Sequence, residues 1–326
     1  EQAMRDFLGA SARDGAEVSL LAADASFRRY LRVQRGGERA VLMDAPPEKE
    51  DVRPFLDVAR RLAALGFSAP RVLAEDSAAG FVLLEDLGDT TFTRALAADP
   101  ACEPALYELA VETLVALHRA QPPRDGLPRY DDERLQTEAD LLVDWYWPEV
   151  HRGPAPSAAR ERYAELWRPL FEWARQVPET LVLRDFHVDN LMWLAGRNGV
   201  ARCGLLDFQD AVAGPVTYDL VSLLEDARRD VPAALATRLK RRYVAAMPEL
   251  DPEAFDASYA ILGAQRSAKI VGIFTRLWRR DGKAGYLRHV PRVWRWLESD
   301  LRHPALADMR AWFEVHFPPA LRRAPA

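Results

Sequence analysis

Lysine is scarce in this sequence. It occurs only at Lys49, Lys240, Lys269 and Lys283, and the rest of the 44 basic side chains are arginine. Cysteine is scarcer still, with Cys102 and Cys203 alone. They have no Cys-x-x-Cys spacing, so they cannot form a zinc site by themselves, and a lone disulfide would be an odd framework for 326 residues. Both points agree with a reducing compartment. A basic excess is absent as well. The formal net charge is -5, which excludes the electrostatic footprint of a nucleic-acid binder. No stretch approaches the roughly 18 apolar residues of a membrane span. Residues 1–15 carry charges at Glu1, Arg5, Arg13 and Asp14 and no apolar core, so no secretory leader is expected there, and a cytoplasmic location is. Internal repeats, low-complexity tracts and long charge runs are also missing.

What is present is a globular composition, 49% hydrophobic and 29% charged, long enough for one large or two ordinary domains. The two ends of the chain differ. Glu17–Leu21, Phe27–Gln34 and Arg39–Met43 read as short strands, with Gly36-Gly37 as a hairpin turn. Asp51 then offers an N-cap, and Val52, Phe55, Leu56, Ala59, Leu62 and Ala63 follow helical spacing up to Gly66. Arg71–Ala74 and Phe81–Leu84 are two further strands. Past Gly88 helices dominate, predicted at Pro104–Arg119, Glu133–Val150, Ser157–Val177, Tyr218–Arg228, Ala233–Ala246, Pro252–Leu277, Val290–Leu301 and Leu306–Val315. Residues 121–132, with Pro122, Pro123, Gly126 and Pro128, form a loop. One island of strands interrupts the helices. It comprises Leu181–Leu183 and a hairpin of Leu191–Leu194 with Ala201–Leu206, turning at Asn198-Gly199. The pattern predicts an α+β fold of two lobes, a β-rich N-lobe over residues 1–87 with five strands and one helix, and a helical C-lobe over 88–326. A cleft between such lobes is the expected place for a ligand.

The island carries the chemistry. Asp185 follows an apolar strand end, Asn190 lies five residues later, and Asp207 follows the next apolar strand. This is the order of parts used in phosphoryl transfer. One carboxylate accepts a hydroxyl proton, and an Asn and an Asp hold magnesium against nucleotide phosphates. The competing reading is structural, with Asp185 and Asn190 capping a turn and Asp207 capping the next helix.

Several segments resemble the aminoglycoside phosphotransferase and choline kinase group, which has the protein-kinase-like fold. They are Asp24-Ala25-Ser26-Phe27-Arg28-Arg29-Tyr30, Val41-Leu42-Met43-Asp44-Ala45-Pro46-Pro47, Leu84-Glu85-Asp86-Leu87-Gly88, the loop from Arg184 to Asn190, Asp207-Phe208-Gln209-Asp210-Ala211, and Ala264-Gln265-Arg266. Within that group the chain is most similar to the anomeric kinases of N-acetylmuramate and N-acetylglucosamine from cell-wall recycling in Gram-negative bacteria. The resemblance implies an ATP- and magnesium-dependent kinase that makes a sugar 1-phosphate. Asp185 is then the base, and Asn190 and Asp207 are the metal ligands. His187 becomes a further catalytic candidate or a residue that fixes the loop. Residues 84–87, Glu85 and Leu87 among them, become an adenine-holding hinge. The turn at Ser26 becomes the phosphate loop, although it lacks the Gly-x-Gly pattern. Asp219 becomes a brace for the catalytic loop. Asp189, Arg266 and Lys269 become acceptor-site candidates, the two cations being suited to the carboxylate of a muramate.

One departure stands out. Met43 occupies the place of the strand-three lysine that pairs nucleotide phosphates in kinases. Arg28, Arg29 and Lys49 are nearby cations that could supply that charge, Arg28 being counted with Ser26 among the nucleotide-binding candidates, and strand alternation puts Arg28 and Arg29 on opposite faces, so at most one of these two points into the cleft. Kinases of aminoglycosides, choline or homoserine are alternative readings, and Met43 with the missing glycines motivates a third, a nucleotide-binding pseudokinase. Trp145, Trp147, Trp294 and Trp296 read mainly as core or groove aromatics.

Overall fold

The computed structural model describes residues 2–23 and 27–325. Among these the strands are β1 Glu17–Ala23, β2 Arg29–Arg35, β3 Glu38–Asp44, β4 Val72–Asp76, β5 Phe81–Glu85, β6 Glu179–Val182, β7 Leu191–Trp193, β8 Cys203–Leu205 and β9 Val212–Pro215. The helices are α1 Gln2–Ala10, α2 Arg53–Ala64, α3 Phe92–Ala98, α4 Glu103–Arg119, α5 Asp132–Leu141, α6 Trp147–His151, α7 Ser157–Ala174, α8 Tyr218–Leu224, α9 Ala233–Ala246, α10 Pro252–Asp281, α11 Val290–Asp300 and α12 Ala307–His316. The chain divides into two compact units, Glu1–Pro123 with Asp185–Ala211, and Arg124–Arg184 with Val212–Ala326.

The first unit is built on an antiparallel sheet in the order β1-β2-β3-β5-β4. Alternation gives each strand two faces. Val33, Ala40, Leu42, Phe81 and Leu83 make one apolar face, and Phe7 and Leu8 of α1 are buried with them. Phe7 stacks on Phe81 with ring centroids 5.6 Å apart. Helix α1 is an addition to the sequence reading: two anchoring residues in nine give a periodic signal too short to register. On the opposite face of β3 and β5 lie Val41, Met43, Val82 and Leu84, all buried. Helix α2 contributes Phe55, whose ring stacks on Phe208 at 5.0 Å. That stacking buries the residue next to Asp207 and so fixes the backbone there. The hairpin is formed by β7 and β8, with Leu191 opposite Leu205. Its connection is longer than the expected two-residue turn, because Gly199–Arg202 winds into one 3-10 turn before β8 begins.

The second unit is mainly helical. Its core gathers Tyr146, Trp147, Tyr163, Trp167, Trp294, Trp312, Phe313 and Phe317. The predicted helix Glu133–Val150 is interrupted by a π-helical turn, Leu142–Tyr146. Gly272 of α10 packs there, so close that a Cβ would come within 2.3 Å of the Leu141 carbonyl carbon. Strand β9, unforeseen because its sequence is Val-Ala-Gly-Pro, pairs antiparallel with β6.

Glu225, just past α8, and Asp300, ending α11, are both buried and meet beside Gly263 of α10. Burial pushes both carboxyls above their ordinary range; Glu225 raises Asp300 further, while a hydrogen bond from Asp300 partly offsets the rise at Glu225. The folded chain therefore keeps protons that the unfolded chain releases. Stability should fall as pH rises above the ordinary carboxylate range of about 4. A melting series from pH 5 to 8 should show Tm decreasing in the wild type and decreasing less in Asp300→Asn. Parallel curves for the two proteins would refute a shared proton.

Candidate functional site

The active-site candidates sit where strands end. Strand β6 leads to Leu183 and Arg184, whose backbone N–H groups donate to the buried Asp219 carboxylate at 2.6 and 2.8 Å. Asp219 is 1% exposed, so this brace is dry and charge-assisted. Arg184 is held in the left-handed region with φ +71°, and Asp207 with φ +58°. Such conformations cost about 1–3 kcal/mol each for a residue with a side chain and collect at functional sites. The Asp219 bonds offset that cost at Arg184. The buried Phe208 does so at Asp207.

Between these points the loop closes on itself. The His187 N–H donates to the Asp185 carbonyl at 3.1 Å, and the Asn190 N–H to the His187 carbonyl at 2.9 Å. Asn190 Nδ2 donates to the Asp185 carbonyl at 3.0 Å and to Asp207 Oδ2 at 3.2 Å. The Leu206 N–H donates to the Asn190 carbonyl at 3.0 Å, stitching the two ends of the hairpin together. Asp185 is half-buried, and among the described residues nothing donates to its carboxylate. Asp207 accepts from Gln209 Nε2 at 2.8 Å.

Asn190 and Asp207 also line a cleft of about 420 Å³ in this same unit. Val41, Leu84, Met192 and Leu206 give it apolar walls, and residues 84–88 run along its edge. That is the size and lining of a small-molecule site, with a few polar groups at defined places. The pair fits magnesium by donor chemistry. With its amide nitrogen turned to Asp207, Asn190 has its side-chain oxygen left as a hard donor beside a carboxylate. The buried Gln209 Oε1, which has no hydrogen-bond partner among the described residues, adds another hard oxygen nearby. Magnesium takes few protein ligands and fills the rest of its shell with water and phosphate oxygens.

The other candidates are dispersed. His187 is 4% exposed, with Nε2 3.4 Å from Asn190 Nδ2, so its ring packs inside the loop. Asp189 accepts from the Thr93 hydroxyl, and the Thr93 N–H donates to the Val188 carbonyl at 3.3 Å, tying the loop to α3. Glu85 lines the cleft, but its carboxylate pairs with Arg197 at 2.7 Å and Arg71 at 3.2 Å; Leu87 lines the cleft beside it. Ser26 and its turn lie outside the described residues. In the second unit, Arg266 is buried and donates to Ser222 Oγ at 2.9 Å and the Glu225 carbonyl at 3.3 Å. Lys269 pairs with Glu138 at 2.9 Å. The middle of α10, which carries both, is largely buried. Glu138 also pairs with Arg184 and accepts from Tyr130. Burial favours protonation of Glu138, but Lys269 and Arg184 outweigh it and hold the carboxyl below its ordinary value.

Sequence reasoning missed Glu138, Thr93 and Gln209. Only Gln209, two residues from Asp207, had a local signal. The partners of the other two come from distant segments.

Fold and site together define a phosphotransferase of the protein-kinase-like α+β class, with a small antiparallel-sheet N-lobe and a mostly helical C-lobe. The profile of the Phosphotransferase enzyme family matches residues 17–253, and the chain belongs to that family. It is 38% identical to the N-acetylmuramate/N-acetylglucosamine kinase of Caulobacter vibrioides, over 99% of this chain and 98% of that one. Among solved structures it is similar to a choline/ethanolamine kinase family protein from Mesorhizobium loti, with TM-score 0.62 and 16% identity over 96% of this chain and 99% of that one. It is also similar to the streptomycin–ATP–APH(2'')-IIa ternary complex, with TM-score 0.57 and 16% identity over 88% and 96%.

Proposed function

We propose that this kinase transfers the γ-phosphoryl group of ATP to the anomeric hydroxyl of N-acetylmuramate or N-acetylglucosamine, giving the sugar 1-phosphate. The observation that carries the chemistry is the loop geometry: an Asp185 carboxylate with no donor among the described residues, next to a joined Asn190–Asp207 pair at a nucleotide-sized cleft. The name of the Caulobacter relative carries the substrate class.

In this reading residues 1–87 form the nucleotide lobe and 88–326 bear the catalytic loop and acceptor site. The apolar walls at Val41, Leu84, Met192 and Leu206 hold the adenine ring, with the backbone at Glu85 and Leu87 as its edge contacts. Asn190 and Asp207 would hold magnesium, which supplies charge neutralisation on the phosphates when bound. Asp185 accepts the C1 hydroxyl proton. The ring oxygen makes that hydroxyl more acidic than the other sugar hydroxyls, so a carboxylate suffices. Catalysis then rests on positioning and electrostatics. His187 holds the loop, and Asp189, tethered by Thr93, borders the acceptor. Lys269 is the cation for a muramate carboxylate; Arg266 is spent on Ser222 and Glu225 and has a structural part. A sugar 1-phosphate is ready for uridylyl transfer, and in this reading the reaction belongs to cytoplasmic cell-wall recycling.

A substrate panel tests this. ATP consumption should appear with both N-acetyl sugars and vanish with the methyl glycoside of N-acetylglucosamine, which has no free anomeric hydroxyl. Turnover of the methyl glycoside would move the acceptor to another hydroxyl, and silence across the panel, aminoglycosides and choline included, would favour a pseudokinase. In the same panel Lys269→Ala should raise KM for N-acetylmuramate more than for N-acetylglucosamine. Equal rises would take Lys269 away from the carboxylate.

A further inference from the structure

Met43 leaves the cleft without its usual cation. It is 0% exposed, lies on the same face of β3 as the cleft-lining Val41, and pairs in register with Tyr30 of β2 and Val82 of β5. A thioether there contributes no charge. The three candidate replacements separate clearly. Arg29 reaches the other face of the sheet and pairs with Asp44, its cross-strand partner. Lys49 is exposed and sits over the Phe27 ring, 5.1 Å from its centroid. Arg28 immediately precedes β2, two residues from the cleft-lining Tyr30, and continuing the strand's alternation by one residue would put it on the cleft side. Its side chain is 10% exposed and its guanidinium lies 3.7 Å from the Glu50 carboxylate.

Glu50 is well placed for this. Its N–H donates to the Pro46 carbonyl at 2.9 Å, closing the turn that enters α2, and its carboxylate also accepts the Phe27 N–H at 3.2 Å. One carboxylate thus holds both the backbone before Arg28 and the Arg28 side chain. At the other end of the same strand face, Arg32 is consumed by Asp86 at 2.8 Å and Asp89 at 2.9 Å beside the cleft edge. Arg28 lies four residues from Arg32, about 13 Å along the strand. That span is the reach of a nucleotide from its base to its diphosphate.

We propose that Arg28, held by Glu50, is the phosphate-contacting cation of the nucleotide site and does from the residue before β2 what a strand-three lysine would do from position 43. The proposal rests on the nucleotide reading above. An arginine offers a planar fork able to bind two phosphate oxygens at once, so the substitution changes the geometry of the contact and not only its position. It also explains why a fully buried methionine is tolerated: the cation has moved one strand over, from β3 to the residue before β2, where Glu50 of the turn before α2 pairs with it.

The test is calorimetric titration with ATP and with adenosine, both in magnesium, supported by melting curves. Arg28→Ala should weaken ATP about ten- to a hundredfold and leave adenosine unchanged, since a charge-assisted contact to phosphate is lost and the base contacts are not. Arg28→Lys should recover part of the loss. The double variant Arg28→Ala with Met43→Lys should recover part as well, by returning a cation to the third strand on the cleft face. Unchanged ATP affinity in Arg28→Ala would overturn the proposal. Equal weakening of ATP and adenosine would also overturn it, because that marks a folding role. Failure of the wild type to bind ATP is a different result: it would overturn the nucleotide reading itself.

Discussion

Asp185→Asn should reduce turnover about 10²- to 10⁴-fold, the range a positioned general base supplies. The amide keeps the size and shape of the carboxylate but cannot accept the C1 hydroxyl proton. ATP affinity should stay within about twofold, because the proposed nucleotide contacts are made by Asn190, Asp207 and the cleft walls. The melting temperature should also be preserved. Among the described residues nothing hydrogen bonds to the Asp185 carboxylate, and the loop is held through the Asp185 backbone carbonyl, which Asn retains. This separation makes the variant informative. In many buried acids an Asp-to-Asn change breaks a network and confuses catalysis with folding. Near-wild-type turnover, read by product formation under saturating ATP, would remove Asp185 from the base role. A large fall in melting temperature would show that the carboxylate is structural after all.

Why that residue could be read from sequence, and others could not, follows from how each is held. Asp185, Asn190 and Asp207 are fixed by local structure: a strand end, a closed loop, a hairpin and a strand end again. Their order and spacing survive in the linear chain, and Asn190 and Asp207 do meet at 3.2 Å. The five strands of the sheet were equally plain, because alternation and Gly36-Gly37 are local signals. Glu138 left no such trace. It looks like any acidic residue on the solvent side of a helix, yet Lys269, Arg184, Tyr130 and Gln265 converge on it from three other segments. Tertiary packing also decides how α10 is used, which its linear pattern does not show. Helix α10 is buried through most of its length, and Arg266 there answers Ser222 and Glu225. The interruption at Leu142–Tyr146 was also invisible, since it reflects the approach of Gly272 from 130 residues away and no breaker in the segment itself.

Asp207→Asn should abolish the metal dependence of nucleotide binding, and with it nearly all turnover. Asp207 brings the only formal negative charge of the Asn190–Asp207 pair, so neutralising it removes most of the attraction for a divalent cation while leaving the oxygen donors in place. The choice of asparagine over alanine is dictated by the backbone. Asp207 has φ +58°, a conformation that asparagine adopts readily and alanine does not, so Asp207→Ala would add about 1 kcal/mol or more of strain. Alanine would also leave Asn190 Nδ2 and Gln209 Nε2 without their acceptor. Asparagine keeps one oxygen and so preserves the acceptor of one of these two donors, and Phe208 remains stacked on Phe55 to hold the loop. ATP should therefore bind the variant with one affinity whether magnesium or a chelator is present, matching the wild type in chelator. In the wild type magnesium should tighten binding clearly. The two titrations decide between roles. If Asp207→Asn loses the same factor of affinity with and without magnesium, the residue supports the fold of the cleft and is not a metal ligand. If the variant keeps the full magnesium effect, the ligand set lies elsewhere, and the Asn190–Asp207 contact serves only to close the loop.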